Sequence, residues 1–350
     1  MSASSEAQEP LRIDSEEQLE EVLTRPTAAL VQFIRTIPSP LLILGAGGKM
    51  GPSLAVLVKR AGDLAGHPLE VVAVSRFGDP QLVTRLNRCG VKTLSCDLLK
   101  PRAIEQLPDA LNLIYLVGLK FGTAQNPAAT WAINTIVPTR VAERYRDAQI
   151  VALSTGNVYP LSKVTRGGSV ETDALTPLGE YSNAAVARER LFEFHSRANS
   201  TPIALLRLFY AVELRYGVLL DIAQKVHRGA PIDLVNGHFN CIWQGDANEM
   251  AVRALALTSS PTSAWNLCRP ETFSVRTVAA RFAELFGRPA IFEGQEADTA
   301  LLGNANPLCV KLGLPATSLE TTLTRIANWI QQGGRDLGKP THFESRDGRY

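Results

Sequence analysis

The sequence predicts an α/β fold: a doubly wound parallel sheet with a smaller C-terminal α+β portion. Three observations predict it. From Leu41 to Tyr210, short apolar segments alternate with amphipathic helical ones, and strands that are apolar throughout belong in a sheet covered on both faces. The first of these strands runs straight into a glycine-rich turn, Gly45-Ala-Gly-Gly-Lys-Met-Gly51. After about residue 211 the regular alternation gives way to shorter, mixed elements.

Residues 1–40 read as an N-terminal helical extension. Its first ten residues are polar and fray. Asp14 or Ser15 can cap a helix whose apolar stripe is Leu19, Val22, Leu23, Leu30 and Ile34. Pro26 divides that helix, and Pro38 and Pro40 end it. The domain 41–210 then reads as strand 41–44, helix 49–65, strand 70–75, helix 80–88 and strand 91–95. It continues with strand 111–117, helix 128–147 bent at Pro138, strand 149–154, helix 178–198 and strand 202–210. Each strand is short and rich in Val, Ile and Leu, and each helix repeats its apolar residues at three- to four-residue spacing. That makes six strands, the number of a doubly wound dinucleotide fold. The portion 211–332 carries helices at 219–227, 246–257, 275–286 and 319–332, with strands at 232–234 and 238–243. Its boundary with the first domain is soft. The polar tail 333–350 is expected to be mobile.

Composition excludes several classes. The chain has 350 residues, 45% of them apolar and 20% charged, which is globular and long enough for two domains. A formal charge of +2 provides no basic field, so no nucleic-acid partner is expected. No apolar run approaches the roughly 20 residues of a membrane helix, so no membrane partner is expected either. The acidic N-terminus lacks the basic and apolar regions of a secretory signal. The five cysteines are odd in number and form no C-x-x-C pair, as in a reduced, cytoplasmic chain. The five histidines are scattered, so no metal site is expected.

The glycine turn lies between a strand and a helix. Gly45 allows the tight turn, Gly47 or Gly48 lets the backbone approach a pyrophosphate, and Gly51 lets helix and strand pack closely. The helix N-terminus supplies free N–H groups to the anion. Lys49 and Met50 lie within the same loop; Lys49 either touches phosphate or is solvated. This is a Rossmann dinucleotide-binding turn. The second strand ends in Ser75-Arg76, with no carboxylate before Asp79. An acid at this point would hold a ribose 2′-hydroxyl, whereas Arg76 can pair with a 2′-phosphate and Ser75 can hydrogen-bond it. NADP is therefore preferred to NAD. Asp97, past the third strand, either contacts the adenine or caps the next turn.

Several segments in order resemble the extended short-chain dehydrogenases/reductases, the NAD(P)-dependent sugar epimerases and dehydratases. Gly45, Gly48 and Gly51 have the G-x-x-G-x-x-G spacing, and Asp97 matches too. Asn134 matches the asparagine of the middle helix. Ser154-Thr155-Gly-Asn-Val158-Tyr159 is similar to S-[ST]-x-x-V-Y. Tyr181 stands where the family has Y-x-x-x-K. Arg207, Trp243-Gln-Gly-Asp246 and Trp265-Asn-Leu267 match later segments. The resemblance runs from about Leu41 to Ile330. It implies that Tyr181 exchanges a proton with a substrate hydroxyl, that Thr155 binds that oxygen, and that Val117, Gly118 and Asn134 lie against the cofactor. It also implies a homodimer built on helices 128–147 and 178–198.

One position departs from the family. The fourth residue after Tyr181 is Ala185, where the family's lysine holds the nicotinamide ribose and eases proton exchange by the tyrosine. Three readings stay open. Lys120, Arg188 or Lys163 replaces the charge, with Lys120 preferred; or Thr155 and Tyr181 act without a cation; or the site binds NADP without turnover. The expected function is that of an NAD(P)-dependent oxidoreductase or epimerase/dehydratase moving a hydride on a sugar-like hydroxylated substrate. The alternative is a catalytically silent NADP-binding sensor or regulator. The four tryptophans are expected to serve packing.

Overall fold

A computed structural model describes residues 12–119, 125–339 and 341–348. Seven parallel strands form its central sheet: β1 (Leu41–Leu44), β2 (Val71–Ser75), β3 (Lys92–Ser95), β4 (Asn112–Tyr115), β5 (Gln149–Thr155), β6 (Ile203–Leu208) and β7 (Ser263–Leu267). Their order is β3-β2-β1-β4-β5-β6-β7. Leu44 stands level with Val74 on one side and Tyr115 on the other, so the carboxyl ends of the inner strands share one edge. The strand order reverses between β1 and β4. In such sheets the crevice at that reversal is where ligands sit.

Alternation along each strand explains the two covered faces. Leu41, Ile43, Val71 and Ala73 belong to one apolar cluster, with α2 (Ala28–Ile34), α3 (Gly51–Leu64) and α8 (Gln244–Arg253). Leu42, Leu44, Val72 and Val74 belong to another, with α5 (Pro127–Arg144) and α6 (Glu180–Asn199). A third core lies beyond the sheet. There α1 (Glu16–Leu23) packs with α7 (Val218–Arg228), α9 (Val275–Phe286) and α11 (Leu319–Gln331). Pro26 does divide the N-terminal helix, with Ser15 and Thr27 capping the two pieces. The remaining helices are α4 (Pro80–Arg88) and α10 (Asn306–Leu312). Among the described residues no helix is long and apolar enough to cross a membrane.

The structure corrects the sequence reading in three places. The sheet has a seventh strand, Ser263–Leu267, paired in parallel with β6. Its polar and aromatic composition, Ser-Ala-Trp-Asn-Leu, hides it from an apolar-run criterion. Helix α10 was not expected: at 7 residues it is too short to show an apolar period, although Pro307 in its first turn suits a helix start. Beyond residue 332, where a mobile tail was expected, the described residues 333–339 and 341–348 include contacts with the C-terminal core: Phe343 is buried, and Leu337 N donates to Arg215 O at 2.9 Å.

Candidate active site

A cleft runs along the carboxyl ends of β1, β4, β5 and β6. Gly45, Gly48, Gly118, Thr155, Tyr181 and Arg188 all line it, and it encloses about 390 Å³.

The glycine turn is shaped by close approach. Gly45 has φ +85°, and a Cβ there would fall 2.9 Å from the backbone after β4. A Cβ on Gly51 would meet Ala46 backbone at 2.5 Å, so α3 packs against the turn as only glycine permits. Gly48 is different: a Cβ there meets only Gly45 O, at 3.4 Å, so its bareness keeps the cleft open rather than relieving a clash. Met50 precedes α3 with no side-chain cap, which leaves the first N–H groups of a 14-residue helix for an anion. These features fit a dinucleotide pyrophosphate.

The residues expected at the adenosine end occupy the next two strand ends. Ser75 lies against the loop, since a Cβ on Gly47 would be 2.6 Å from its Oγ. Arg76 is exposed. Asp79 caps α4, accepting from Gln81 N at 2.9 Å. Asp97 accepts from Leu99 N at 3.1 Å, so its carboxylate caps the turn after β3.

The floor is built by α5 and α6. Asn134 is fully buried; its Nδ2 donates to Thr130 O at 2.8 Å and its Oδ1 accepts from Arg188 Nη1 at 2.8 Å. The same guanidinium nitrogen donates to Val117 O at 3.3 Å. A Cβ on Gly118 would come within 2.9 Å of it, so Gly118 makes room for Arg188. Two turns of α6 separate Tyr181 from Arg188, and both face the cleft.

Thr155 ends β5, and its Oγ1 accepts from Asn157 N at 3.2 Å. Tyr181 opens α6 after Gly179, which has φ +84°, and is 8% exposed. Ala185 is fully buried in an apolar cluster with Val158, Tyr159 and Phe209, a setting hostile to an ammonium group. Lys120 lies outside the described residues. Lys163 lines a separate surface hollow away from the cleft.

Lys49 was expected at phosphate or in solvent. Its Nζ instead donates to Ala211 O at 2.7 Å and lies 4.1 Å from the Tyr216 ring centroid. Tyr216 adjoins Tyr181: burial, the charge of Asp221 and the Tyr181 phenol all push the Tyr216 hydroxyl upward. Arg188, Lys49 and Lys339 give the cleft three cations, and its described lining includes no carboxylate. Sequence reading missed Lys339 and Thr341 as lining residues, because both belong to the segment that reads as a polar tail. Among the described residues no cluster of three or more His, Cys, Asp or Glu could hold a metal ion.

The sequence profile of the NAD dependent epimerase/dehydratase family matches residues 41–252. The chain belongs to that family. Within it, the glycine turn, Thr155 and Tyr181 occupy one cleft. Among curated proteins no sequence matches. Solved structures of the same architecture include UDP-glucuronic acid 4-epimerase from Bacillus cereus in complex with NAD, at 17% identity and a TM-score of 0.69, covering 84% of this chain and 96% of that one. dTDP-glucose 4,6-dehydratase from Bacillus anthracis in complex with NAD gives 13% identity and a TM-score of 0.70, covering 84% and 97%. UDP-glucose 4-epimerase from Thermotoga maritima with UDP-glucose gives 15% and 0.67, covering 84% and 99%. At these identities the likeness shows the fold.

Proposed function

We propose that this family member is an NAD(P)-dependent enzyme that moves a hydride on a sugar-like hydroxylated substrate, with Tyr181 and Thr155 at the reacting oxygen. The observation that carries the reading is a single cleft holding the glycine turn at one end and Thr155 with Tyr181 at the other. A bound nicotinamide dinucleotide would supply the hydride acceptor or donor. Gly45, Gly47, Gly48, Met50 and Gly51 would cradle its pyrophosphate, with the Lys49 ammonium held beside them by Ala211 and Tyr216. Ser75, Arg76 and Asp97 would take the adenosine half, and Val117 and Gly118 the nicotinamide half, with the buried Asn134 behind them holding Arg188.

With the hydride of the carbinol C–H bond going to that dinucleotide, Tyr181 as the phenolate would take the O–H proton while the substrate C=O bond forms. The reverse step returns both. Thr155 holds the oxygen by a hydrogen bond throughout. Arg188, fixed by Asn134 and the Val117 carbonyl, supplies positive charge where Ala185 supplies none; Lys120 is the alternative source. The absence of a carboxylate beside Arg76 favours NADP over NAD. Residues 41–210 form the dinucleotide domain and 211–332 the substrate portion in this reading. Five free cysteines support a cytoplasmic setting, and α5 with α6 a homodimer interface.

Parallel calorimetric titration with NADPH and NADH tests it. Binding of NADPH at least tenfold tighter, about 1.4 kcal/mol, and loss of that preference in Arg76→Ala are expected. Turnover that survives Tyr181→Phe unchanged would remove the catalytic assignment. NADPH binding without turnover on any hydroxylated substrate would favour the regulator, a reading that the buried Ala185 supports.

A further inference from the structure

Next to Tyr181 the cleft adjoins a second cavity, sharing Asn157, Tyr210 and Leu301 with it. This cavity encloses about 220 Å³. Its outer wall is the C-terminal segment of residues 335–339 and 341–348, a strap from which Phe343, Ser345, Arg346 and Gly348 face inward.

The strap is fastened along its length. Leu337 N donates to Arg215 O at 2.9 Å. The Thr341 hydroxyl donates to the Asp221 carboxylate. Phe343 is 5% exposed, and its carbonyl accepts from Asn236 Nδ2 at 2.7 Å. Arg346 Nη1 donates to Asn236 Oδ1 at 2.6 Å and to Thr299 O at 2.8 Å. Gly348 lies so close to Leu178 and Gly179 that a Cβ at 348 or at 179 would collide with backbone.

Size and chemistry together define what the cavity takes. Drug-sized ligands occupy about 300–1,000 Å³; 220 Å³ suits a monosaccharide and leaves no space for a nucleotide attached to it. The wall offers hydrogen-bonding groups on Asn157, Ser182 and His238, and apolar faces on Phe239 and Phe343. His238 Nδ1 is buried with no hydrogen-bond partner, a state that costs free energy until a ligand hydroxyl satisfies it.

We propose that the substrate is a free, monosaccharide-sized polyhydroxy compound, and that the strap excludes nucleotide-linked sugars by closing the outer end of the site. This rests on the hydride-transfer reading above. The test uses the full chain saturated with NADPH. UDP and UDP-glucose are titrated by calorimetry, and a panel of free aldoses, ketoses and sugar acids is screened by saturation-transfer NMR. No binding heat from either UDP compound and saturation transfer to at least one free sugar are expected. Arg346→Ala, which cuts the strap's clasp to Asn236 and Thr299, is expected to raise UDP-glucose affinity at least tenfold. Phe343→Ala serves if limited proteolysis shows the first variant still strapped.

Micromolar binding of UDP-glucose to the parent chain would overturn the proposal. So would a released strap with no gain in UDP-glucose affinity, or a panel without any responding sugar. The NADPH titration separates the two readings: failure there defeats hydride transfer itself, whereas failure only with sugars defeats the strap.

Discussion

Arg207 on β6 grips the Glu189 carboxylate of α6 with two nitrogens, Nη2 at 2.7 Å and Nε at 3.1 Å, and both side chains are buried. The pair is the centre of a larger network. Glu189 also accepts from Ser154, the residue before Thr155, at 2.5 Å. Arg207 Nη1 donates to the Tyr159 hydroxyl at 2.6 Å, which in turn donates to Asn266 Oδ1 of β7 at 2.9 Å. Burial pushes the Tyr159 phenol up to about 12, so it remains a donor at neutral pH. The network therefore locks β5, β6, β7 and α6 together, and with them the backbone that presents Thr155 and Tyr181.

Breaking that pair should be costly. Removing one partner leaves an uncompensated buried charge, worth about 3–5 kcal/mol. Glu189→Ala is expected to lose that much in urea unfolding. Glu189→Leu combined with Arg207→Met should recover most of it, because both charges leave together. A single variant within about 1 kcal/mol of the parent would show that water reaches the pair.

Gly48 and Gly51 separate binding from folding. Gly51→Ala drives a Cβ into Ala46 backbone, whereas Gly48→Ala meets only Gly45 O at ordinary contact distance. Gly51→Ala should therefore unfold earlier by about 1–3 kcal/mol. Gly48→Ala should keep the parent melting temperature and lose dinucleotide affinity at least tenfold, since its methyl enters the cleft. Thermal melts and calorimetry on the two variants check this. Equal effects of both substitutions on stability would contradict it.

The glycine turn, the strand–helix alternation and the Ser154–Tyr159 segment were legible because each rests on local rules: apolar runs, positive φ at glycine, residues at fixed spacing. What sequence could not give depends on contacts between distant residues. Lys49 reads locally as a phosphate contact or a solvated side chain, yet it reaches Ala211, 162 residues further on, and the Tyr216 ring. Arg188 was legible as sharing a helix face with Tyr181, but not as the partner of Asn134 on α5. Trp131 was expected to pack inside; it is 37% exposed and donates to Glu180 at 2.5 Å. The strap reads as a polar tail because its anchors, Phe343, Thr341 and Arg346, are spaced singly among Gly, Asp and Arg.

Asp221 gives the fold a pH dependence with a definite sign. Burial raises its carboxyl from 3.8 to about 6, against the Thr341 hydroxyl donated to it. Because the folded pKa lies above the unfolded one, the folded chain holds a proton that the unfolded chain releases between those two values. Stability therefore falls as pH rises from about 4 to about 6, and the cost persists above that. Asp221→Asn keeps an acceptor for Thr341 and removes the charge. It should raise stability at pH 8 by about 1–3 kcal/mol, with solvent screening at this half-buried site taken into account, and make little difference near pH 4. Unfolding measured at both pH values decides it; a variant less stable at pH 8 would mean that the charged hydrogen bond outweighs the desolvation.

The outer faces of α5 and α6 carry the last prediction. Trp131 and Ile136 on α5 and Phe194 on α6 are 37%, 41% and 63% exposed, and Leu178 just before α6 is 63% exposed. The two helices pack side by side, and these large apolar side chains are left exposed on or beside them, the kind of surface that a second chain can cover. Two copies meeting through this pair about a two-fold axis would place Phe194 of each copy in an isologous interface. Light scattering on the parent chain is therefore expected to give twice the monomer mass of 38.0 kDa. Phe194→Asp would place a desolvated charge in the contact from both sides at once and is expected to yield the monomer, with dinucleotide affinity retained because the cleft lies on the strand ends rather than on this face. A parent chain that runs as a monomer at all concentrations would remove the interface, and a dimer untouched by Phe194→Asp would move it elsewhere on the surface.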